Sequence, residues 1–150
     1  MVRIYVSDVI NAPIDTVWGL IRDFNGMPEW HPFIRDSHIE GGLPSDAVGC
    51  VRNFHLADGG HLREQLLSLS DRDHECVYCI LESPLPVTGY VAGYRVLPIT
   101  EGNRTFIDWW AEFEIAPADE ARIVDQVKNG TFRRAFQAIA EYLAKKGQTR

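Results

Sequence analysis

The chain has 150 residues, of which 45% are hydrophobic and 24% are charged, and its formal net charge is −6. This length is typical of one domain with a core of its own, so we expect a single domain over residues 1–150. The acidic balance argues against nucleic acid or an anionic membrane as the main partner, since both bind basic surfaces.

The N-terminal segment alternates in polarity from Val2 to Val9, which predicts a strand and lacks the apolar core of a signal peptide. Asn11-Ala12-Pro13 is a helix-start signal, and apolar residues at helical spacing then predict a helix that ends near Asp23. The segment from Phe24 to Pro32 contains two prolines and a glycine, so we expect at most a short helix there. Because no apolar run reaches about 18 residues, we predict a cytoplasmic protein without a membrane span.

The middle of the chain changes to a period of two, which predicts six strands. They are Ile34 to Ile39, Ala47 to Leu56, His61 to Ser70, Glu75 to Glu82, Tyr90 to Thr100 and Arg104 to Ile115. Short turn sequences between them, such as Asp58-Gly59-Gly60, make neighbouring strands antiparallel. Ser83 to Val87 is too rich in proline for a central strand. With Thr88-Gly89 it predicts either a gate loop over a cavity mouth or a plain crossover between strands.

A long C-terminal helix closes the chain: Pro117-Ala118-Asp119-Glu120 opens it, and Lys145-Lys146 and Gly147 end it. From Asp119 to Lys145 it is about 40 Å long. Gly130 weakens this helix in its interior, which either relieves crowding against the sheet or admits a ligand. The order of elements predicts an α+β fold, in which a strongly curved antiparallel sheet of about seven strands wraps around the helix and encloses a cavity.

Several motifs resemble the START-like, helix-grip (Bet v 1-like) superfamily, and the resemblance spans nearly the whole chain. The chain is similar to its polyketide cyclase/dehydrase and lipid-transport branch at Ala12-Pro13-Ile14-Asp15-Thr16-Val17-Trp18, at Asp23-Phe24 and at Pro28-Glu29-Trp30-His31-Pro32. It also resembles lachrymatory factor synthase-like proteins at Gly49-Cys50-Val51-Arg52, Arg63-Glu64-Gln65-Leu66-Leu67 and Arg104-Thr105-Phe106-Ile107-Asp108-Trp109. The superfamily implies a helix-grip fold with a cavity for a hydrophobic ligand, but no single reaction. The synthase likeness implies that Arg52 and Glu64 face the pocket and carry a proton-transfer rearrangement.

Strand alternation places Arg52 and Glu64 on core-directed faces independently of this resemblance. Apart from Ser68, the residues that share their strand faces are apolar or cysteine: Val48, Cys50, Phe54, Leu56, Leu62 and Leu66. Buried charges normally occur in pairs, and a tight hairpin joins these two strands. Two interpretations stay open. Arg52 binds a substrate oxyanion while Glu64 moves a proton, or the pair is a structural salt bridge that fills the space under the helix.

Inward-pointing aromatic and apolar side chains are the candidate ligand contacts, because in a cavity protein the lining and the core are the same residues. We predict contacts from Trp30, Phe54, Tyr78, Leu85, Tyr94, Trp109, Phe132 and Phe136. For Trp30 a core cap is equally compatible with the pattern, and we expect His31 to be solvated and not catalytic.

The favoured function is the binding of a small hydrophobic organic molecule. The alternative is a cofactor-free cyclase, dehydratase or isomerase that uses Glu64 as acid/base and Arg52 as oxyanion partner. A third interpretation, a protein-interaction module, predicts an exposed apolar patch from Pro84 to Val87. Phe106 or Trp110, if exposed on the outer sheet face, would suit a homodimer.

The cysteines and histidines give no prediction of a cofactor or a metal site. Cys76 and Cys79 have C-x-x-C spacing, but on a strand they point to opposite faces, so we expect buried, unreactive thiols. His55 and His61 flank a predicted turn that can bring two imidazoles together, but catalytic metal sites usually have three protein ligands.

Overall fold

The computed structural model describes residues 1–148, and a seven-stranded antiparallel sheet forms most of it. The strands are β1 (Val2–Ile10), β2 (Ile34–Ile39), β3 (Val51–Leu56), β4 (His61–Ser70), β5 (Glu75–Glu82), β6 (Val87–Ile99) and β7 (Arg104–Ile115). Their order across the sheet is β1-β7-β6-β5-β4-β3-β2. Strands β2 to β7 therefore pair in the order of the sequence, and β1 pairs with β7. The sheet is not closed, and β1 and β2 are its edges in the described part of the chain.

The helices occupy the gap after β1 and the end of the chain. They are α1 (Ile14–Ile21), α2 (Met27–Trp30), α3 (Pro117–Val127) and α4 (Arg134–Gln148), and a short 3-10 turn covers Glu40–Gly42. A π-helical segment, Lys128–Arg133, connects α3 to α4, and we call residues 117–148 together the long helix. The predicted helix-grip fold is therefore confirmed, with a short N-terminal helical part and a long C-terminal helix.

Aromatic stacking holds the long helix against the sheet. Trp109 on β7 lies parallel to Phe132 at a centroid distance of 5.3 Å and is tilted against Phe136 at 6.2 Å. On its other side Trp109 meets Tyr94 of β6 at 4.6 Å. These side chains are almost fully buried and form a solid core under this part of the helix.

Helix α1 is fixed at one end of the sheet by polar contacts. The Trp18 indole and the Arg22 guanidinium both donate to Asp71 Oδ1 in the β4–β5 turn, each at 2.8 Å. The Tyr94 hydroxyl donates to the Ile21 carbonyl oxygen at 2.7 Å. The chain that follows α1 is thereby directed across the sheet, where α2 forms part of a cavity wall.

Three predicted boundaries were wrong. β3 begins at Val51 and not at Ala47, because Gly49 has a left-handed φ of +95° and breaks the strand. β6 begins at Val87, three residues before the predicted Tyr90. The predicted stop at Gly147 is also wrong, since the helix continues through Gln148.

Two further observations concern membrane-spanning helices and the outer face of the sheet. Within residues 1–148, no helix has the length and apolar character needed to cross a membrane. Phe106 and Trp110 are half-buried, and the Trp110 ring lies so close to Gly93 that a Cβ there would approach it to 2.9 Å. The homodimer through these residues stays a prediction.

Candidate functional site

A cavity of about 640 Å³ lies between the sheet and the long helix. Its volume is within the range that proteins use for small organic ligands. It is lined by residues from α2 and the following loop, from β3, β4, β5 and β7, from the β5–β6 loop and from the long helix. Apolar side chains such as Phe54, Leu62 and Trp109 make up most of the wall, whereas a few polar groups converge on its floor.

The floor is built around the predicted pair, which strand register brings face to face. Arg52 on β3 lies directly opposite Glu64 on β4. The guanidinium contacts Glu64 Oε1 through Nε at 2.9 Å and through Nη2 at 2.7 Å. Its Nη1 donates to the Phe24 carbonyl oxygen at 3.0 Å, and the Phe24 ring lies 4.0 Å below the guanidinium carbon. With exposures of 2% and 5%, Arg52 and Glu64 form a buried ion pair.

Two polar atoms on this floor keep unused hydrogen-bonding capacity. Both contacts of Arg52 go to Oε1, and no residue in the described part of the chain donates to Glu64 Oε2. The Tyr78 hydroxyl accepts from Trp109 Nε1 at 3.1 Å, and among residues 1–148 nothing accepts its own proton. Because Glu64 and Tyr78 both line the cavity, an acceptor and a donor face the same enclosed space.

The environment raises the pKa of both groups. Burial raises the pKa of Glu64 above its ordinary value, and the Arg52 charge offsets this only in part. Burial also raises the pKa of Tyr78 well above its ordinary value, with the nearby Glu64 acting in the same direction. Glu64 is therefore a carboxyl group that can exchange a proton at higher pH than an exposed glutamate can.

The rim of the cavity combines three segments. Ser83, Pro84 and Leu85 of the predicted gate loop line it, although Val87–Ile99 as a whole belongs to β6. Gating by this loop stays a prediction. Gly130 lies on the π-helical segment and lines the rim. A Cβ there would meet only Gln126 Cγ at 3.8 Å, so crowding does not require the glycine.

At the mouth, His31 and Arg134 flank the half-exposed Phe33 ring. The Arg134 guanidinium carbon lies 4.1 Å from the Phe33 centroid, and the His31 ring meets Phe33 edge-on at 6.0 Å. His31 is 8% exposed, so the expectation that it is solvated was wrong. Sequence reasoning missed Arg134, although its spacing of four from Gly130 places both on one side of the helix.

The predicted ligand contacts divide into two groups. Trp30, Phe54, Tyr78, Leu85 and Trp109 line the cavity, and Trp30 Nε1 is buried without a partner among the described residues. The structure places the other three, Tyr94, Phe132 and Phe136, behind the wall, where they pack against Trp109. Their direct contact with a ligand is thus not supported by the geometry.

The cysteines and histidines lie elsewhere. Cys76 is fully buried and Cys79 is half-buried, and burial raises the pKa of both thiols. His55 and His61 do meet, stacked at 4.8 Å, but His55 contacts Asp36 and His61 contacts Asn53. Residues 1–148 contain no group of three or more side chains arranged to hold a metal ion.

Comparison with known proteins places this architecture. Residues 1–148 match the family model described as polyketide cyclase / dehydrase and lipid transport. The protein XoxI from Bacillus cereus is 26% identical and has a TM-score of 0.83, with 94% of each chain covered. A protein from Thermobifida fusca is also 26% identical, with a TM-score of 0.84 and coverage of 95% of this chain and 93% of that one.

A more distant structure shares the fold. A point mutant of norcoclaurine synthase from Thalictrum flavum, solved with a transition-state analogue, has a TM-score of 0.72 at 17% identity, over 97% of this chain and 96% of that one. The likeness to lachrymatory factor synthase-like proteins stays a prediction.

Proposed function

The chain belongs to the polyketide cyclase/dehydrase and lipid-transport family, and we propose that it binds a small, mainly apolar organic molecule in the cavity between its sheet and its long helix. The observation that carries this proposal is a cavity of about 640 Å³ that opens at a mouth and has an apolar wall and a few convergent polar groups on its floor. Such a space excludes water from most of a ligand and orients it by one or two hydrogen bonds.

Titration with the neutral fluorophore N-phenyl-1-naphthylamine tests this proposal, because the probe is apolar and small enough for such a cavity. The four tryptophans give four indole N–H signals in a nitrogen-15 NMR spectrum. Trp30 and Trp109 line the cavity, whereas Trp18 and Trp110 do not. We expect saturable binding that shifts the first pair of signals. Absence of saturable binding, or shifts confined to the second pair, would refute the proposal.

A pair of glycine substitutions locates the site. Gly130→Leu places a branched side chain at the rim, where only Gln126 is within 4 Å of the new Cβ, and we expect weaker probe binding. Gly19→Leu makes the same change on an exposed turn of α1, with nothing within 4 Å, and should leave binding unchanged. Equal effects of the two variants would contradict binding in this cavity.

We propose catalysis of a proton transfer as a second candidate function, and the unpaired Oε2 of Glu64 is the observation that favours it. In this reaction Glu64 removes a proton from a carbon beside a carbonyl group, and the electron pair moves onto the carbonyl oxygen. An N–H of Arg52 or the Tyr78 hydroxyl stabilises that oxyanion. Glu64 then returns the proton to another atom of the ligand, which gives an isomer, or to a hydroxyl that leaves as water.

Glu64→Gln separates the two functions, because the amide oxygen can still accept from Arg52 while the side chain no longer exchanges a proton. The wild type and the variant are incubated with a mixture of small cellular metabolites, and the mixture is analysed by mass spectrometry. A compound that the wild type consumes and the variant only binds supports catalysis. A compound that both bind unchanged supports the carrier function alone.

A further inference from the structure

Arg134 is a cation at the cavity mouth that has no acidic partner in the part of the chain that the structure describes. It is exposed and lines the cavity at the junction between the π-helical segment and α4. The guanidinium carbon lies 4.1 Å from the centroid of the Phe33 ring, a cation–π contact. Within the described part of the chain no side chain or carbonyl oxygen accepts from the guanidinium N–H groups, so they remain available for an oxyanion, which a guanidinium binds with two parallel hydrogen bonds.

His31, whose ring meets the same Phe33 ring edge-on, adds a second donor. The Phe33 backbone N–H donates to His31 Nδ1 at 3.2 Å, so the neutral imidazole carries its proton on Nε2. Burial lowers the pKa of His31 to about 4, and the Arg134 charge acts in the same direction, which keeps the ring neutral at pH 7. No residue among 1–148 accepts from Nε2, and His31 lines the cavity.

The charges around the cavity decide which end of a ligand lies where. On the floor, Arg52 and Glu64 neutralise each other, and a ligand anion there would face the Glu64 carboxylate. At the rim the other ionisable lining group is Asp58, an exposed hairpin residue whose Oδ1 accepts from the Gly60 N–H. The floor is therefore suited to a neutral hydroxyl or carbonyl group, and the mouth offers one cation and one neutral N–H donor besides the Asp58 carboxylate on the hairpin.

From this arrangement we infer that the ligand is an amphipathic acid, with an apolar body inside the cavity and one carboxylate or similar oxyanion at the mouth between Arg134 and His31. The inference rests on the proposed function, since it specifies the ligand class of the same cavity.

Two probes that share one aromatic body test it. N-phenyl-1-naphthylamine is neutral, and 1-anilinonaphthalene-8-sulfonate is the same body with an anionic sulfonate. We expect Arg134→Gln to weaken binding of the sulfonate about 10-fold, the loss of one charge-assisted contact at a partly exposed site, and to change binding of the neutral probe by less than about 2-fold. Arg133→Gln removes the same charge from the neighbouring exposed residue and should affect neither probe.

The outcomes separate the inference from the proposed function. If Arg134→Gln leaves sulfonate binding unchanged, or weakens both probes equally, the anion site at the mouth is refuted while the cavity function stands. If the neutral probe does not bind wild-type protein at all, the proposed function itself fails. Each variant is first matched to wild type in its melting temperature, because the sulfonate also binds partly unfolded protein.

Discussion

Replacing Arg52 by methionine tests how the buried ion pair contributes to the fold. The substitution keeps the length of the side chain but removes the guanidinium that contacts Glu64 Oε1 and the Phe24 carbonyl oxygen. Glu64 then becomes a buried carboxylate without a cation, which costs about 3–5 kcal/mol in comparable proteins. The Phe24 carbonyl oxygen also loses a donor, at a cost of about 1 kcal/mol. We expect the free energy of unfolding at pH 7 to fall by about 4–6 kcal/mol.

The loss should depend on pH in a definite direction. Burial raises the pKa of Glu64 in the folded protein above its unfolded value of 4.5, and Arg52 is the group that lowers it. Between those two pKa values the folded protein keeps a proton that the unfolded chain has released, so stability falls by at most about 1.4 kcal/mol per pH unit as the pH rises. Without Arg52 this window extends to higher pH. The deficit of the variant should therefore be largest above neutral pH and smallest near pH 4.5.

Urea denaturation followed by tryptophan fluorescence, from about pH 4.5 to about pH 8, measures these differences. The control is the double variant Arg52→Met with Glu64→Leu, which replaces both charges by apolar groups. It should recover about 2–3 kcal/mol of the loss, because no uncompensated charge remains buried. If the single and double variants are equally unstable at every pH, the uncompensated carboxylate is not the cause and this reasoning is wrong.

Three further predictions follow from single buried contacts. Gly93→Ala should lower the free energy of unfolding by about 1–3 kcal/mol in urea, because the new Cβ would lie 2.9 Å from the Cys76 carbonyl oxygen and from the Trp110 ring. The pKa of His31 falls from 6.5 to about 4 on folding, so between these values the unfolded chain binds a proton that the folded protein does not. The free energy of unfolding should therefore drop by at most about 1.4 kcal/mol per pH unit as the pH falls through this range. His31→Gln should remove that slope in thermal melts. The Cys76 thiol, buried and with a pKa raised by burial to about 11, should resist iodoacetamide in the native protein and react in denaturant, as followed by mass spectrometry.

Each of these predictions has a matched control. Gly19→Ala, with nothing within 4 Å of its Cβ, should stabilise helix α1 by about 0.5–1 kcal/mol, and a neutral Gly93→Ala would contradict the steric argument. His38→Gln alters an exposed histidine and should keep the pH slope. An unchanged slope in His31→Gln would assign it to other groups. Native labelling of Cys76 as fast as that of Cys79 would contradict its burial.

Strand positions were predictable wherever the chain alternates up to a tight turn. The bounds of β4 and β5 agree with the prediction, because turn residues stand at their ends and the sheet has one buried face. At Val48 the same alternation continues, yet this residue is 66% exposed, since Gly49 turns the backbone out of the strand. Ser68 disturbs the pattern on β4 for a related reason: the register with β5 shifts between Leu66 and Ser68. Such backbone irregularities cannot be predicted from the periodicity of the side chains.

The site was predictable in its charges and less so in its shape. Arg52 and Glu64 follow from alternation on two strands of one hairpin, and the register confirms that they face each other. The prediction that Phe132 and Phe136 point inward agrees with their burial, but periodicity gives only the face of a helix and not its distance from the sheet. That distance depends on how the Trp109 ring stacks, which is a property of the packed core.

The same stacking explains why a cavity exists beside a well-packed core. The rings around Trp109 set the distance between the long helix and the sheet, and the π-helical segment that carries Phe132 also carries Gly130, which lines the cavity. The cavity lies beside these rings, and Glu64 Oε2 lies on its floor with no donor among the described residues. A carrier needs only the space, whereas an enzyme also needs that oxygen beside a transferable proton. Because Glu64→Gln leaves the space and removes the proton acceptor, retained binding with lost turnover in this variant is the result that assigns the protein to the enzymes of its family.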